Sequence, residues 1–297
     1  KICNDNNIEF HYVNLQEEFY KDVIIPFADF YLKGFTPNIC SYCNAEFKIE
    51  KLLQYAEKFS CNYIATGHYA RKKASLIGIA KDSWKDQSFM LYRLSEKQRE
   101  KLLLPLGQKM KDEVKDFVRQ CGYEEIANKR ESFGLCFTNG KHYSEFLLEK
   151  YPELKKLENG KVFNKNNQEI GTHKGYPFYT IGQYKGLNCE GKQYINKIIA
   201  EENAIFVGEK SDCYFSTLRL NSLVFSQNIE NIELNTQYLT KIRGKDEGSF
   251  ATLREISSNH SIIEFSQRVF APMQGQDVVV YDENNFILFG GRIESFS

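Results

Sequence analysis

The sequence has no excess charge of either sign: 39 basic and 39 acidic side chains balance over 297 residues. That excludes a whole-molecule field that gathers nucleic acid, and leaves such binding to local patches. Proline and glycine are scarce, at six and 19 residues, which excludes long low-complexity linkers. No run approaches the roughly 18 to 20 apolar residues that span a bilayer. The longest clean runs, such as Phe286-Ile287-Leu288-Phe289, are strand-sized, so no membrane association is expected. The opening residues Lys1-Ile2-Cys3-Asn4-Asp5 turn polar at once and carry no secretion signal. They also lack Met, so the chain reads as processed or as a fragment. What is present, 42% hydrophobic, 14% aromatic and 26% charged residues, suits a globular protein and excludes disorder or a simple coiled coil. The length fits two domains or three small ones.

Eight cysteines, Cys3, Cys40, Cys43, Cys61, Cys121, Cys136, Cys189 and Cys213, are spread over the whole chain. That is not a small disulfide framework. A reducing compartment, hence the cytoplasm, with a few chemically active thiols fits better.

Residues 8–15 read as a strand and 17–32 as a helix, with Phe19, Val23, Phe27, Phe30 and Tyr31 on its apolar positions. Thr36-Pro37-Asn38 is a loop, because the residue before proline avoids helix. Residues 44–59 are helical by pattern, and 62–66 form a short strand ending at Gly67-His68. This βαβ-like rhythm implies a mostly parallel sheet. Residues 95–101, 109–121 and 142–150 read as helices, with Gly122 as a C-cap. From Gly160 the texture becomes Gly-rich with short strands. After Tyr214 it is all β, with turns at Ser258-Asn259 and Asn284-Asn285, as in a small barrel or sandwich.

Five segments carry residues suited to chemistry. The first runs from Thr36 to Asn44 and holds Cys40 and Cys43 at a loop-to-helix junction, where a helix N-terminus favours thiolate. A lone Cys-x-x-Cys has no second pair to complete a zinc site, so no structural metal is expected, and inert thiols stay an alternative. The second, Phe133-Gly134-Leu135-Cys136-Phe137, is either a buried structural thiol or a reactive one on a glycine-flexed loop. The third, Thr66-Gly67-His68-Tyr69-Ala70-Arg71, follows a strand, where open α/β sheets bind ligands; an ordinary turn fits equally. The fourth, Lys85-Asp86-Gln87-Ser88, suits phosphate and base contacts, or Asp86 is merely an N-cap. The fifth comprises two basic, aromatic loops, Gly171–Tyr176 and Tyr179–Leu187, suited to an RNA backbone or simply turns.

In this order and combination, the segments resemble the bacterial tRNA-specific 2-thiouridylase (MnmA) family. The matching signatures are Thr36-Pro37-Asn38 with Cys43-Asn44, Tyr63 to Arg71, Lys85-Asp86-Gln87-Ser88, Gly134-Leu135-Cys136-Phe137 and Tyr179-Thr180-Ile181-Gly182-Gln183. Gly275-Gln276 followed by Gly290-Gly291 also fits, and the likeness covers essentially the whole chain. The resemblance implies an α/β plus β fold: a partial Rossmann-like, adenine nucleotide α-hydrolase-like parallel sheet domain, a mixed central domain and a C-terminal β-barrel. The expected domains are 1–94 for nucleotide binding and catalysis, 95–210 for tRNA binding and 211–297 for the barrel.

It further implies sulfur insertion at C2 of a wobble uridine in tRNA. ATP, with Mg²⁺, adenylates the C2 oxygen. Cys136 carries a persulfide taken from a sulfur donor such as a cysteine desulfurase or relay protein. Cys43 then forms a disulfide with Cys136, which requires Cα atoms roughly 4.4 to 6.8 Å apart. Gly67 is expected against the nucleotide. Asn38, Ile39 and Cys40 are expected near the target base, and His68, Lys85, Asp86 and Gln87 on the tRNA. Arg243, Gly244 and Gln276 are expected to face the anticodon region, and the protein is expected to be a monomer.

Four features depart from the family pattern. The Ser-Gly-Gly-x-Asp-Ser loop that holds pyrophosphate is not in this sequence, so the chain as written is expected to be N-terminally truncated, to bind ATP poorly and to be inactive alone. Ile39-Cys40 stands where many members have Pro-Asp, Tyr184 where Arg is usual, and Gly244 where an aromatic is usual. These departures favour the alternative of a non-catalytic tRNA-binding remnant. The retention of both cysteines in their motifs favours the enzyme.

Overall fold

A computed structural model describes residues 1–129 and 134–297; Phe133 of the second segment lies outside them. Helix Gln16–Phe19 continues through a π-helical turn, Tyr20–Ile24, into Ile25–Leu32. The turn sits just before Pro26, which has no N–H to give a regular ladder, and a wider turn absorbs that loss. Gly34 at φ +77° ends the helix, with its N–H on the Tyr31 carbonyl and Phe35 N–H on that of Phe30. A second composite helix runs Ile39–Tyr42, a π-helical turn Cys43–Lys48, then Ile49–Lys58.

Strand Ile64–Ala65 pairs in parallel with Leu102–Leu103, the described part of the parallel sheet. The strand expected at 8–15 is not formed. Those residues belong to no strand or helix, and Ile8, Phe10 and Tyr12 stand exposed. Alternation alone cannot make a strand, because its N–H and C=O groups need a neighbour. The helices expected from 95, 109 and 142 appear as Glu96–Lys101, Lys111–Gln120 and Tyr143–Lys150. A five-stranded sheet follows, in spatial order Asn188–Cys189, Glu169–His173, Gly160–Phe163, Ala204–Gly208 and Tyr194–Ile199.

The rest closes into a six-stranded antiparallel barrel. Its order is Tyr214–Phe225, His260–Phe270, Ser249–Ile256, Gln237–Lys241, Asp277–Tyr281 and Ile287–Phe296, the last strand returning to the first. Closure satisfies both edges of every strand, and Leu218, Leu220, Leu253, Ile263 and Val278 fill the interior.

Barrel and α/β region share a core. Ile49, Ile64, Leu91, Tyr92 and Leu102 pack with Val279, Tyr281 and Ile287 of the barrel. Gly290 permits this approach: a Cβ there would stand 2.3 Å from the Tyr92 ring. A separate core of Val23, Phe27, Tyr31, Ile39, Phe47, Phe146 and Leu147 lies beneath the cysteine segments. No helix among the described residues is long and apolar enough to cross a membrane.

Candidate active site

The site is built on the second composite helix. Asn38 stands at its N-cap position with φ −90°, and Pro37 before it keeps the entering chain extended. Cys40 and Cys43 are three positions apart on this helix, hence on one face. Both pack at the rim of the Phe27–Phe47 core, where Leu135 and Phe137 also pack. Phe137 anchors its segment between Phe27 and Phe146, each with ring centroids 5.1 Å away. Cys136, between those two anchors, is exposed. Its turn is closed by Thr138 N–H and Oγ1, which both donate to the Leu135 carbonyl at 3.2 and 3.0 Å. Gly134 opens the turn at φ +93°, a conformation that favours glycine.

Cys43 and Cys136, far apart in the chain, are thus on segments packed on the same core, near enough for a charge on Cys136 to act on Cys43 and Cys40. All are free thiols. Burial pushes the Cys43 thiol up to about 11; Lys48 works against this, while thiolate at Cys136 or Cys40 would add to it. Cys40 is raised by burial first, then by Cys136, against Lys48. The expectation that the helix N-terminus favours thiolate is thus corrected, since loss of hydration at this apolar rim outweighs it. Among the described residues no three His, Cys, Asp or Glu side chains converge as metal ligands.

Lys48 was not marked by sequence reasoning. In a regular α-helix it would fall well round from Cys43, at 3.6 residues per turn. The π-helical turn Cys43–Lys48 widens the spiral and brings the fifth residue back toward the same face. The same ammonium reaches His68, whose imidazole is lowered to about 4 by burial and then by Lys48. His68 is therefore neutral near pH 7, with Nδ1 2.8 Å from Thr66 Oγ1.

Gly67 lies at the carboxyl end of the parallel strand. A Cβ there would meet only Leu106 Cδ1, at 3.9 Å, so the protein leaves open space over this backbone. Gln87 holds the adjoining turn, its Oε1 accepting the Tyr69 N–H at 3.0 Å. Lys85 is half-buried at the end of a short 3₁₀ turn.

Asp86 does not fit the expected contact with tRNA. Its Oδ1 accepts Ala80 N–H and Ser88 N–H at 3.0 and 3.1 Å. Its Oδ2 accepts Ser88 Oγ–H and the Lys241 ammonium, both at 2.9 Å. Four donors fill a carboxylate, and both members of the ion pair are buried. Asp86 thus locks the barrel to the α/β region. His173, in the fifth segment, is likewise turned inward, accepting Gly175 N–H and lying 3.1 Å from the Asn203 carbonyl.

The barrel residues lie on two sides. Gln276 adjoins Gly275, whose Cβ position meets Phe35 and the Thr36 backbone, so it borders the Asn38 loop. Arg243 donates to the Phe270 and Ala271 carbonyls at 2.9 and 2.6 Å. Gly244 faces Met90, 2.7 Å from an added Cβ, so an aromatic there would need Met90 to move. Tyr184 lies 4.6 Å beneath the Lys192 ammonium and beside Tyr194, an exposed aromatic and basic patch.

Two further observations concern ligand space. Asn38 Nδ2 and Gln276 Oε1 are buried without a hydrogen-bond partner among the described residues. A cleft of about 310 Å³ opens against the Gly134–Leu135 turn, walled by Phe27, Tyr31, Pro37, Leu135, His142 and Tyr143.

A family model described as the tRNA methyl transferase HUP domain matches residues 1–140, and one described as the tRNA methyl transferase PRC-barrel domain matches residues 144–209. A tRNA-specific 2-thiouridylase of Clostridium tetani is 35% identical, covering 99% of this chain and 82% of its own length. That of Natranaerobius thermophilus is 34% identical over 99% and 80%. That of Cytophaga hutchinsonii is 33% identical over 96% and 79%.

Proposed function

The chain belongs to the tRNA-specific 2-thiouridylase family, and from that premise we propose that it makes 2-thiouridine in tRNA by transferring sulfur through Cys136 and Cys43. The observation that supports this reading is that the Cys43 helix and the segment of Cys136 pack on one core, with Cys43 sensing charge at Cys136. Methyl transfer, the activity named in the family model's description, gives paired thiols no obvious work.

ATP, bound with Mg²⁺, supplies the adenylyl group that turns the uridine C2 oxygen into a leaving group. The open backbone at Gly67 suits its base or ribose edge. Cys136 is the exposed thiol, accessible to a persulfide donor protein. Its terminal sulfur attacks C2, a C–S bond forms and the C–O bond to the activated oxygen breaks. Cys43 then attacks Sγ of Cys136, the S–S bond breaks with its electron pair going to the sulfur left on the base, and a Cys43–Cys136 disulfide remains. A thiol reductant returns both cysteines to the starting state. Burial keeps most of the Cys43 thiol protonated near pH 7, which slows its side reactions.

Asn38 Nδ2, an orphaned donor beside the thiols, suits a carbonyl of the target base, and Gln276 Oε1 suits a base N–H. Ile39, buried, backs the base site, and Cys40 adds a third thiol there. His68, Lys85 and Gln87 suit tRNA contacts, as do Arg243 and the backbone at Gly244. The protein acts as a monomer in the cytoplasm, where its thiols stay reduced. The division into 1–94, 95–210 and 211–297 assigns activation, tRNA grip and anticodon contact.

The test is an in vitro assay with tRNA, ATP and a sulfane-sulfur donor (free cysteine with a cysteine desulfurase), scoring 2-thiouridine by mass spectrometry. This chain is compared with a version extended upstream by the Ser-Gly-Gly-x-Asp-Ser segment. The extended version should form the product, and Cys136→Ser or Cys43→Ser should lower it at least 100-fold, on the order of removing a nucleophile. If neither version forms it while both bind tRNA, the chain is a non-catalytic tRNA binder.

A further inference from the structure

The chain has one tryptophan, Trp84, and it is 88% exposed. An indole left in water forgoes the largest burial any side chain offers. The turn that presents it is rigidly built. Ser83–Lys85 form a 3₁₀ turn between two buried carboxylates, Asp82 and Asp86. Asp82 Oδ2 accepts the Lys111 backbone N–H at 2.9 Å, and its carbonyl accepts Lys85 N–H at 3.0 Å. Asp86 is fixed by its four donors, including Lys241 of the barrel. Lys81 N–H is held by the Gly107 carbonyl. Both ends of the turn are therefore anchored, and the indole projects from a fixed base.

Its setting holds several lysines and adjoins the site. Lys81 and Lys85 flank it in sequence, and Lys111, whose backbone N–H caps Asp82, holds its ammonium over the Tyr69 ring. Glu113 offsets part of this, pairing with Lys81 at 3.2 Å. Gln87, three residues on, holds the turn after Gly67. A flat π-face on a rigid turn among ammonium groups matches single-stranded RNA: stacking takes the base and the cations take the phosphates. We propose that Trp84 is a stacking platform for an unpaired nucleobase of the bound tRNA. This deepens the reading above and rests on tRNA being the substrate.

The single tryptophan makes the test direct. The chain is titrated with unmodified tRNA while tryptophan emission and its quenching by acrylamide are followed, and binding is measured in parallel on filters. Saturating tRNA should change the emission and protect it from acrylamide. Trp84→Ala should weaken tRNA binding roughly 5- to 100-fold, the range for one stacked base. Trp84→Phe should restore most of that loss, and thermal unfolding should not move. If tRNA binds on the filter while emission and acrylamide access stay unchanged, or if Trp84→Ala binds as the parent does, the stacking assignment is wrong and the substrate reading stands. If tRNA does not bind at all, both fail.

Discussion

At the scale of the residue, the informative fact is the division between two thiols. Cys136 is exposed and Cys43 sits at an apolar rim that pushes its thiol up to about 11. Below that value the thiolate fraction grows about tenfold per pH unit. Alkylation of Cys43, resolved by peptide mass spectrometry, should therefore accelerate about tenfold per unit from pH 7 and level off near pH 11. Lys48 opposes the burial, so Lys48→Met should raise the Cys43 thiol further and slow its alkylation at pH 8 by roughly threefold, half a pH unit. The same variant should raise the His68 imidazole from about 4, seen by NMR titration. A rise in both is the signature, because general loosening of the helix would expose both groups and move them in opposite directions, Cys43 down and His68 up. The cysteines were marked in the sequence through the family resemblance, since neither motif alone separates a reactive thiol from a structural one. Lys48 was not, since nothing in the spacing announces a π-helical turn, and an α-helical reading puts it on another face.

At the scale of the element, the cysteine helix is held by its own middle. Ser41, between the two cysteines in sequence, donates its Oγ–H to Asp277 Oδ2 of the barrel. Asp277 Oδ1 accepts the Tyr92 hydroxyl at 2.8 Å and lies 4.0 Å from the Arg93 guanidinium. Ser41 and Asp277 are both buried, so Ser41→Ala leaves a buried carboxylate oxygen short of a donor, at a cost of about 1–3 kcal/mol. The urea midpoint should fall accordingly, and thiolation at saturating tRNA should fall further than the lost folded fraction explains. Equal activity per folded molecule would show the tie to be structural only. Helices and barrel strands were readable from their periods, because each buries one face. The strand expected at 8–15 was not, because its alternating Ile8, Phe10 and Tyr12 describe a face while a strand also needs a paired edge. Asp86 misled for a related reason: a polar motif does not reveal that its donors come from Ala80, Ser88 and, far along the chain, Lys241.

At the scale of the whole molecule, the barrel and the α/β region act as one frame around the thiols. Asp277 and the Asp86–Lys241 pair are its polar ties. The shared core around Tyr92 and Tyr281 is its apolar one. Gln276, next to Asp277, brings the barrel to the Asn38 loop. This order of parts along the chain was legible; which parts touch was not, because those contacts join residues more than a hundred positions apart. The central claim is that Cys43 resolves a persulfide on Cys136. The measurement is to load the chain with one equivalent of persulfide sulfur, without tRNA or ATP, and map its products by mass spectrometry. The account predicts loss of one hydrosulfide per chain and a Cys43–Cys136 disulfide, with the Cys136 persulfide persisting in Cys43→Ser unless Cys40 takes over. A persulfide lodged on other cysteines, or one on Cys136 that outlasts Cys43 unchanged, would contradict it.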